Sequence, residues 1–257
     1  MSKKLPAIFL AHGSPMNAIL ENDYTRVLKK LGKEIEKPKA ILVISAHWQT
    51  RQTYITIDDA PNTIYDFYGF PDELYKIKYN SIGSKKYAQL ILDKFKNIKG
   101  TTEWGLDHAS WTVLKHMYPE ANIPVIEMSL NVELDERGHY NLGKSLSSLR
   151  EEGILIIGSG NIVHNLMKMD YDMYGKPFEW AVKFDSYIKQ ALDERNRERL
   201  VNYNNAGVVA SLAVPTKEHY LPLLYVAALQ EEDEEVSYIY EDIQHGSMAM
   251  RSFIIGG

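Results

Sequence analysis

Apolar residues fall in short unbroken runs, separated by longer segments with helical spacing. Ala7–Ala11, Ala40–Ser45 and Ile154–Ile157 are almost solidly apolar, the pattern of strands buried on both faces of a parallel sheet. Between the first two, Val27, Leu28, Leu31 and Ile35 recur at helical intervals within Tyr24–Lys37, and Pro38 stops the run. Gly32 weakens that helix by ~1 kcal/mol of propensity. Ser84–Asn97, the run entered at Gly105 and ending at Met117, Leu134–Glu151, Phe178–Arg197 and the stretch from Pro222 to Leu229 also read as helices. Ile123–Leu130 reads as a strand, and the alternating, β-branched Thr53–Ile57 as another that can run antiparallel. Val236–Tyr240 and Met248–Ile255 read as closing strands. Ala206–Val214 is apolar, and Gln230–Glu235 is an acidic, solvated turn. There is no internal repeat, low-complexity tract or linker. Alternating β and α segments predict an α/β fold: one domain over residues 1–257, with a mostly parallel central sheet flanked by helices.

Composition narrows the function classes. The 257 residues are 45% hydrophobic, enough for an ample core. A net charge of −5 argues against an extended nucleic-acid surface. The absence of cysteine excludes disulfides, thiolate metal sites and cysteine nucleophiles. No stretch approaches the ~18 apolar residues of a membrane span, and Met1-Ser2-Lys3-Lys4 meets a strand-length run, not a signal-peptide core. A cytoplasmic protein working without nucleic acid or membrane is expected, with a homo-oligomeric state open to it.

The chemistry sits at the ends of the apolar runs. Ala7–Ala11 leads into His12, Ile41–Ala46 into His47, and Ile154–Ile157 through Gly158-Ser159-Gly160 towards His164. In open α/β sheets ligands bind beyond the carboxyl ends of the strands. Asn161 reads as a helix cap, which would put His164 in a first helical turn and make that terminus a possible anion site. Neutral imidazole is the commonest metal-binding side chain, so three such groups on rigid strand ends can form an open metal site. His108, before a helix, and His219, in His219-Tyr220-Leu221-Pro222, join the candidates. Of the rest, His139 reads as a surface residue, His116 as a satisfied core or surface histidine, and His245 as part of a turn. Asp58–Tyr75 is a long loop carrying Tyr65, Phe67, Tyr68, Phe70 and Tyr75. Loops of that length are often lids; the alternative is an aromatic satellite core.

Other motifs are weaker. Gly158-x-Gly160 has Val163 where a dinucleotide fingerprint needs its third glycine. There is no Walker loop and no G-x-S-x-G elbow. Ser14 or Ser159 could pair with a histidine as in a hydrolase, but no strained elbow accompanies them.

Taken together, Ala11-His12-Gly13-Ser14-Pro15-Met16, Ser45-Ala46-His47-Trp48, Asp66-Phe67-Tyr68-Gly69-Phe70-Pro71, Gly105-Leu106-Asp107-His108, Gly158-Ser159-Gly160-Asn161-Ile162-Val163-His164-Asn165 and Pro215-Thr216-x-Glu218-His219-Tyr220-Leu221-Pro222 resemble the class III (LigB-type) extradiol ring-cleavage dioxygenases, in particular their 4,5-DOPA extradiol dioxygenase branch. The resemblance runs in order along nearly the whole chain. It implies a LigB-like fold and a divalent non-haem metal, usually Fe(II), that chelates a small aromatic diol such as DOPA and binds O2, the ring opening beside the hydroxyls. It implies His12, His47, His164 and His219 as metal ligands and His108 as a catalytic group near the substrate, with His164 or His219 taking the proton-transfer role if only one of them binds metal. Ser14 and Tyr68 would contact the substrate, and the Asp66–Pro71 segment would cover its ring.

One departure bears on the metal. Many class III enzymes use two histidines and a carboxylate, whereas here the last ligand position reads as His219 with Glu218 beside it. An all-nitrogen site suits Zn(II) as well as Fe(II). A zinc-dependent hydrolase and a non-enzymatic metal or ligand binder on the same scaffold are therefore the rival readings.

Overall fold

The structure, a computed structural model, describes residues 4–257; the opening Met1–Lys3 stretch read above lies outside the described residues. The chain order is β1 (Ala7–Ala11), α1 (Asp23–Glu34), β2 (Ala40–Thr50), β3 (Thr53–Thr56), α2 (Lys85–Lys94), β4 (Ile98–Thr101), α3 (His108–Met117), β5 (Val125–Asn131), α4 (Glu136–Ser145), α5 (Ser148–Glu151) and β6 (Ile154–Gly160). Then follow α6 (Glu179–Asp193), α7 (Arg197–Val201), α8 (Val208–Ala213), α9 (Leu221–Ala227), β7 (Val236–Tyr240), β8 (Ile243–Gln244), β9 (Met248–Ala249) and β10 (Ser252–Ile255).

Eight strands form one sheet in the order β4-β3-β5-β2-β6-β1-β10-β7. Its centre is parallel: β5, β2, β6 and β1 pair in one direction. The edges are mixed, since β3 runs antiparallel to β5 but parallel to β4, and β10 runs antiparallel to both β1 and β7. The central strands are buried on both faces because alternate residues feed two cores. Ala7, Phe9, Leu42, Ile44, Ile154 and Ile156 face a layer supplied by α4, α6, α8 and α9. Ile8, Leu10, Ile41, Val43, Leu155 and Ile157 face α1 and α3, where Leu28, Leu31, Trp111 and Leu114 complete the packing. Each of the large side chains among these contributes about 1.5–3 kcal/mol, which is why these runs carry no polar residue until their ends.

Several elements depart from the sequence expectation. Leu134–Glu151 is two helices, α4 and α5, rather than one. Met248–Ile255 divides into β9 and β10, which belong to different sheets. β4 was not expected at all. Among the described residues, no helix is long and apolar enough to cross a membrane.

Candidate functional site

The helix expected after Asn161 does not form. Asn161 spends its side chain elsewhere: its Nδ2 donates to Ala249 O at 2.9 Å, and its Oδ1 accepts from Gly13 N at 3.4 Å. Its backbone N donates to His219 O, and His164 N donates to Ala213 O. His164 then forms an antiparallel bridge with Met248. The segment is thus an extended crossing pinned at or just beside four other elements, β1, α8, β9 and α9, and no helix terminus is available there to bind an anion.

This crossing helps assemble five histidines at the carboxyl edge of the parallel strands. His12 follows β1. His47 lies in the irregular part of β2, where the pairing with β5 shifts between Ile44 and Gln49. His108 opens α3, whose cap is Asp107, accepting from Ala109 N at 3.0 Å. His219 precedes α9. The rings of His47 and His108 have centroids 4.0 Å apart, those of His47 and His219 4.9 Å, and those of His12 and His219 5.3 Å. His164 stacks on His219 at 3.5 Å and 9°. Within this cluster the candidate ligand atoms of His12, His47 and His108 lie within 4.8 Å of one another, as do those of His164, Glu218 and His219.

The partners of the ring nitrogens determine where the protons sit. Ser159 Oγ donates to Ala109 O at 2.6 Å, so toward His12 Nδ1, 3.1 Å away, it can only accept. His12 therefore carries its proton on Nδ1. His47 Nδ1 faces Asp66 Oδ2 at 3.1 Å, and His108 Nδ1 faces Asp66 Oδ1 at 2.9 Å. His219 Nδ1 lies 3.1 Å from Glu218 Oε1. Asp66 at His108 and Glu218 at His219 draw the proton to Nδ1 and leave Nε2 as a lone pair, while at His47 the ion-pair approach of Asp66 favours a proton on Nδ1.

The consequence is a cluster of bare nitrogens. His12 Nε2 and His47 Nε2 face each other across 3.2 Å, which is repulsive for two lone pairs unless a cation or a proton lies between them. His219 Nε2 is buried without a hydrogen-bond partner. Buried polar atoms left bare cost about 1–3 kcal/mol each, so the donor set fits a divalent metal. Burial, then the neighbouring imidazoles, holds His12, His164 and His219 well below the usual histidine range. Burial and His47 lower His108 against the pull of Asp66. At His47 burial also pulls down, but Asp66 at its ring and the charge of Asp107 outweigh it, and the net shift is upward. Burial would raise Asp66, but His108 and His47 hold its carboxyl far below the carboxylate range instead.

The cluster forms the floor of a cavity of about 730 Å³. Its walls are Phe67, Phe70 and Pro15 with Met16, Met167, Met169 and Met248, and it has a polar edge of Ser14, Asn165, Thr216 and His245. Ser14 accepts from Met16 N and so holds the turn after His12 in place. Tyr68 lines the mouth and is 91% exposed. The Asp58–Tyr75 loop divides in two. Its base is tied to the body through Ile64 N to Leu106 O at 2.7 Å and Trp111 Nε1 to Ile64 O at 2.9 Å. Phe67 packs edge-on against His108, and Tyr65, Phe67 and Tyr75 pack on one another.

The other three histidines stand apart from the metal-like cluster. His116 is a satisfied core residue, its Nε2 2.7 Å from Asn17 O. His139, expected on the surface, is fully buried on the face of α4 turned to α9, with Nδ1 2.9 Å from the Tyr225 hydroxyl. His245 is in a left-handed turn with φ 53°, as its neighbour glycine suggested, and also reaches the cavity. The sequence reading missed three supporting groups: Asp66, Ser159 as a partner of His12, and Glu218 as a partner of His219. Asp66 could have been singled out as the carboxylate set between Tyr65 and Phe67 in the aromatic loop.

A central parallel sheet with a histidine cluster at its carboxyl edge defines the class, and the chain belongs to the family of the catalytic LigB subunit of aromatic ring-opening dioxygenases, whose model matches residues 5–250. It is 42% identical to the 4,5-DOPA dioxygenase extradiol of Escherichia coli (strain K12), over 99% of this chain and 96% of that protein. Identity to the 4,5-DOPA dioxygenase extradiol of Beta vulgaris is 38%, over 95% of this chain and 94% of that one. The crystal structure of an uncharacterized protein from Escherichia coli K12 superposes with a TM-score of 0.85 at 38% identity, covering 98% of this chain and all of the other.

Proposed function

We propose that the protein is an extradiol dioxygenase that opens the ring of a catechol, such as DOPA, with O2 at one divalent metal held by His12, His47, His164 and His219. The observation that carries this reading is the 3.2 Å approach of the Nε2 atoms of His12 and His47 beside the cavity, with the other histidines gathered around them. Family membership and the names of the relatives agree with it.

When bound, Fe(II) would supply Lewis acidity toward the two catechol oxygens and redox access to O2. Both atoms of O2 enter the ring-opened product, so no external reductant is consumed. The chain's own residues do the rest. The rigid strand ends fix the ring nitrogens and so replace a chance encounter by a positioned one. His108, neutral and with Nε2 free, takes the catechol proton and returns one later, while Asp66 steadies the imidazolium formed in between. Phe67 and Phe70 cover the ring and exclude water, and Ser14 and Tyr68 contact the substrate at the edge and mouth.

A second assignment has its own support. The compact His12–His47–His108 trio favours His108 as a ligand, with His164 or His219 moving the proton. Metal titration of each histidine-to-alanine variant, beside single-turnover ring cleavage, separates the two. The proposed assignment expects His12→Ala, His47→Ala, His164→Ala and His219→Ala to lose metal affinity. It expects His108→Ala to keep metal and slow ~10²–10⁴-fold. The class of reaction is tested by anaerobic Fe(II) loading followed by O2 and a catechol, read by absorbance. No product from any catechol, with ester or amide turnover on Zn(II), would replace this reading by a hydrolase.

A further inference from the structure

We infer that Asp66 is a positioning residue that sets the tautomers of His47 and His108 together, and that it acts on the metal through His47 alone. One carboxylate serves both rings. Oδ1 accepts from His108 N at 3.0 Å and lies 2.9 Å from His108 Nδ1, while Oδ2 lies 3.1 Å from His47 Nδ1. Asp66 itself is two residues from Ile64, whose backbone binds Leu106 and Trp111. It therefore belongs to the tied base of the aromatic loop, not to the exposed tip at Tyr68 and Gly69.

The asymmetry of these contacts fixes what a neutral isostere must do. His108 contributes a backbone N–H, which can only donate. In Asp66→Asn the amide oxygen is therefore forced to the Oδ1 position, and the NH2 group must face His47. His47 Nδ1 then has to become the acceptor. Its proton moves to Nε2, into the 3.2 Å gap opposite His12 Nε2. His108 keeps both of its bonds. The substitution thus reverses one histidine and leaves the other unchanged, with no change in side-chain size. Groups that orient a metal-binding histidine are typically worth 10–100-fold in affinity.

The test is 15N NMR of the histidine rings in the metal-free protein, with zinc affinity by competition titration. Expected in the wild type is a proton on Nδ1 of both His47 and His108. Expected in Asp66→Asn is loss of the Nδ1 proton at His47 only, a 10–100-fold fall in zinc affinity, and partial recovery of affinity in Asp66→Glu. A wild-type His47 with bare Nδ1 overturns the inference, and this arm needs no variant to fold. Retention of the His47 Nδ1 proton in Asp66→Asn, or zinc affinity within threefold of wild type, also overturns it. The affinity arm rests on the metal reading above and the tautomer arm does not. A wild-type protein that binds no zinc yet shows the expected tautomers would remove that reading and the metal half of this one, and keep the tautomer half.

Discussion

Replacing Gly160 by alanine should damage the site far more than the fold. Gly160 ends β6, and a Cβ built there would lie 2.1 Å from His219 O and 3.1 Å from His219 C. An ordinary carbon–oxygen contact is about 3.3 Å or more, so the His219 backbone must retreat by about 1 Å. That carbonyl also accepts from Asn161 N at 2.8 Å, so the shift would pull on the crossing segment that leads to His164. Overpacking of this kind costs about 1–3 kcal/mol, a fall in Tm of roughly 2–12 °C for a chain of this length. The site tolerates much less, because a ligand set has to be held within about 0.5 Å, and a 1 Å misplacement is worth about 100-fold in rate. The assay pairs calorimetric Tm of the metal-free protein with metal affinity and single-turnover rate. A folded Gly160→Ala protein with wild-type affinity and rate would refute the placement of His219 in the site.

Three other outcomes follow from the geometry. Burial, with Lys217 nearby, pulls His139 down to about 4, while the unfolded chain protonates it near pH 6.5. The unfolded state binds the extra proton between those values, so the contribution is complete above pH 6.5 and is lost, by roughly 3 kcal/mol, as pH falls toward 4. In urea titrations of the metal-free protein, His139→Gln should flatten that acid limb, and an unchanged slope would count against the burial argument. Arg150 is fully buried and binds Leu5 O, Leu229 O and both oxygens of Glu234; Arg150→Met should cost about 3–5 kcal/mol by chemical denaturation, and a loss under 1 kcal/mol would contradict it. Among the described residues no lysine or arginine lines the cavity, so 3,4-dihydroxybenzoate should show a kcat/KM at least tenfold below 4-methylcatechol, and equal values would show that a cation is reached.

The parts of the fold legible in the sequence are those that one local pattern decides. β1, β2 and β6 are apolar because both faces are buried, and their ends are marked by the first residues that can face the cavity. β4 was invisible because Ile98-Lys99-Gly100-Thr101 is a short, half-exposed edge strand whose pairing with β3 supplies its order. The Asn161 helix was misread because capping chemistry is local, whereas the bonds that Asn161 makes reach residues 13 and 249. His139 shows the same limit: Gly138 and polar neighbours suggested a surface position, but α4 turns that residue onto α9. The five histidines could be found from their places beside strand ends and turns. Asp66, Ser159 and Glu218 matter through contacts, two of which span 42 and 147 residues of chain, and no spacing rule carries that information.

The position of β1 has a consequence for how the protein is made. The strand that leads into His12 lies inside the sheet, between β6 and β10. Its neighbours are residues 154–160 and 252–255, both far along the chain from residues 7–11, so β1 is flanked on both sides only after those distant segments have folded back to it. Pairing at such sequence separation is slow, and exposed edges are held open meanwhile. His12 therefore reaches its place only once β6 and β10 are paired with β1, so the ligand position proposed for it depends on contacts between segments far apart in the chain.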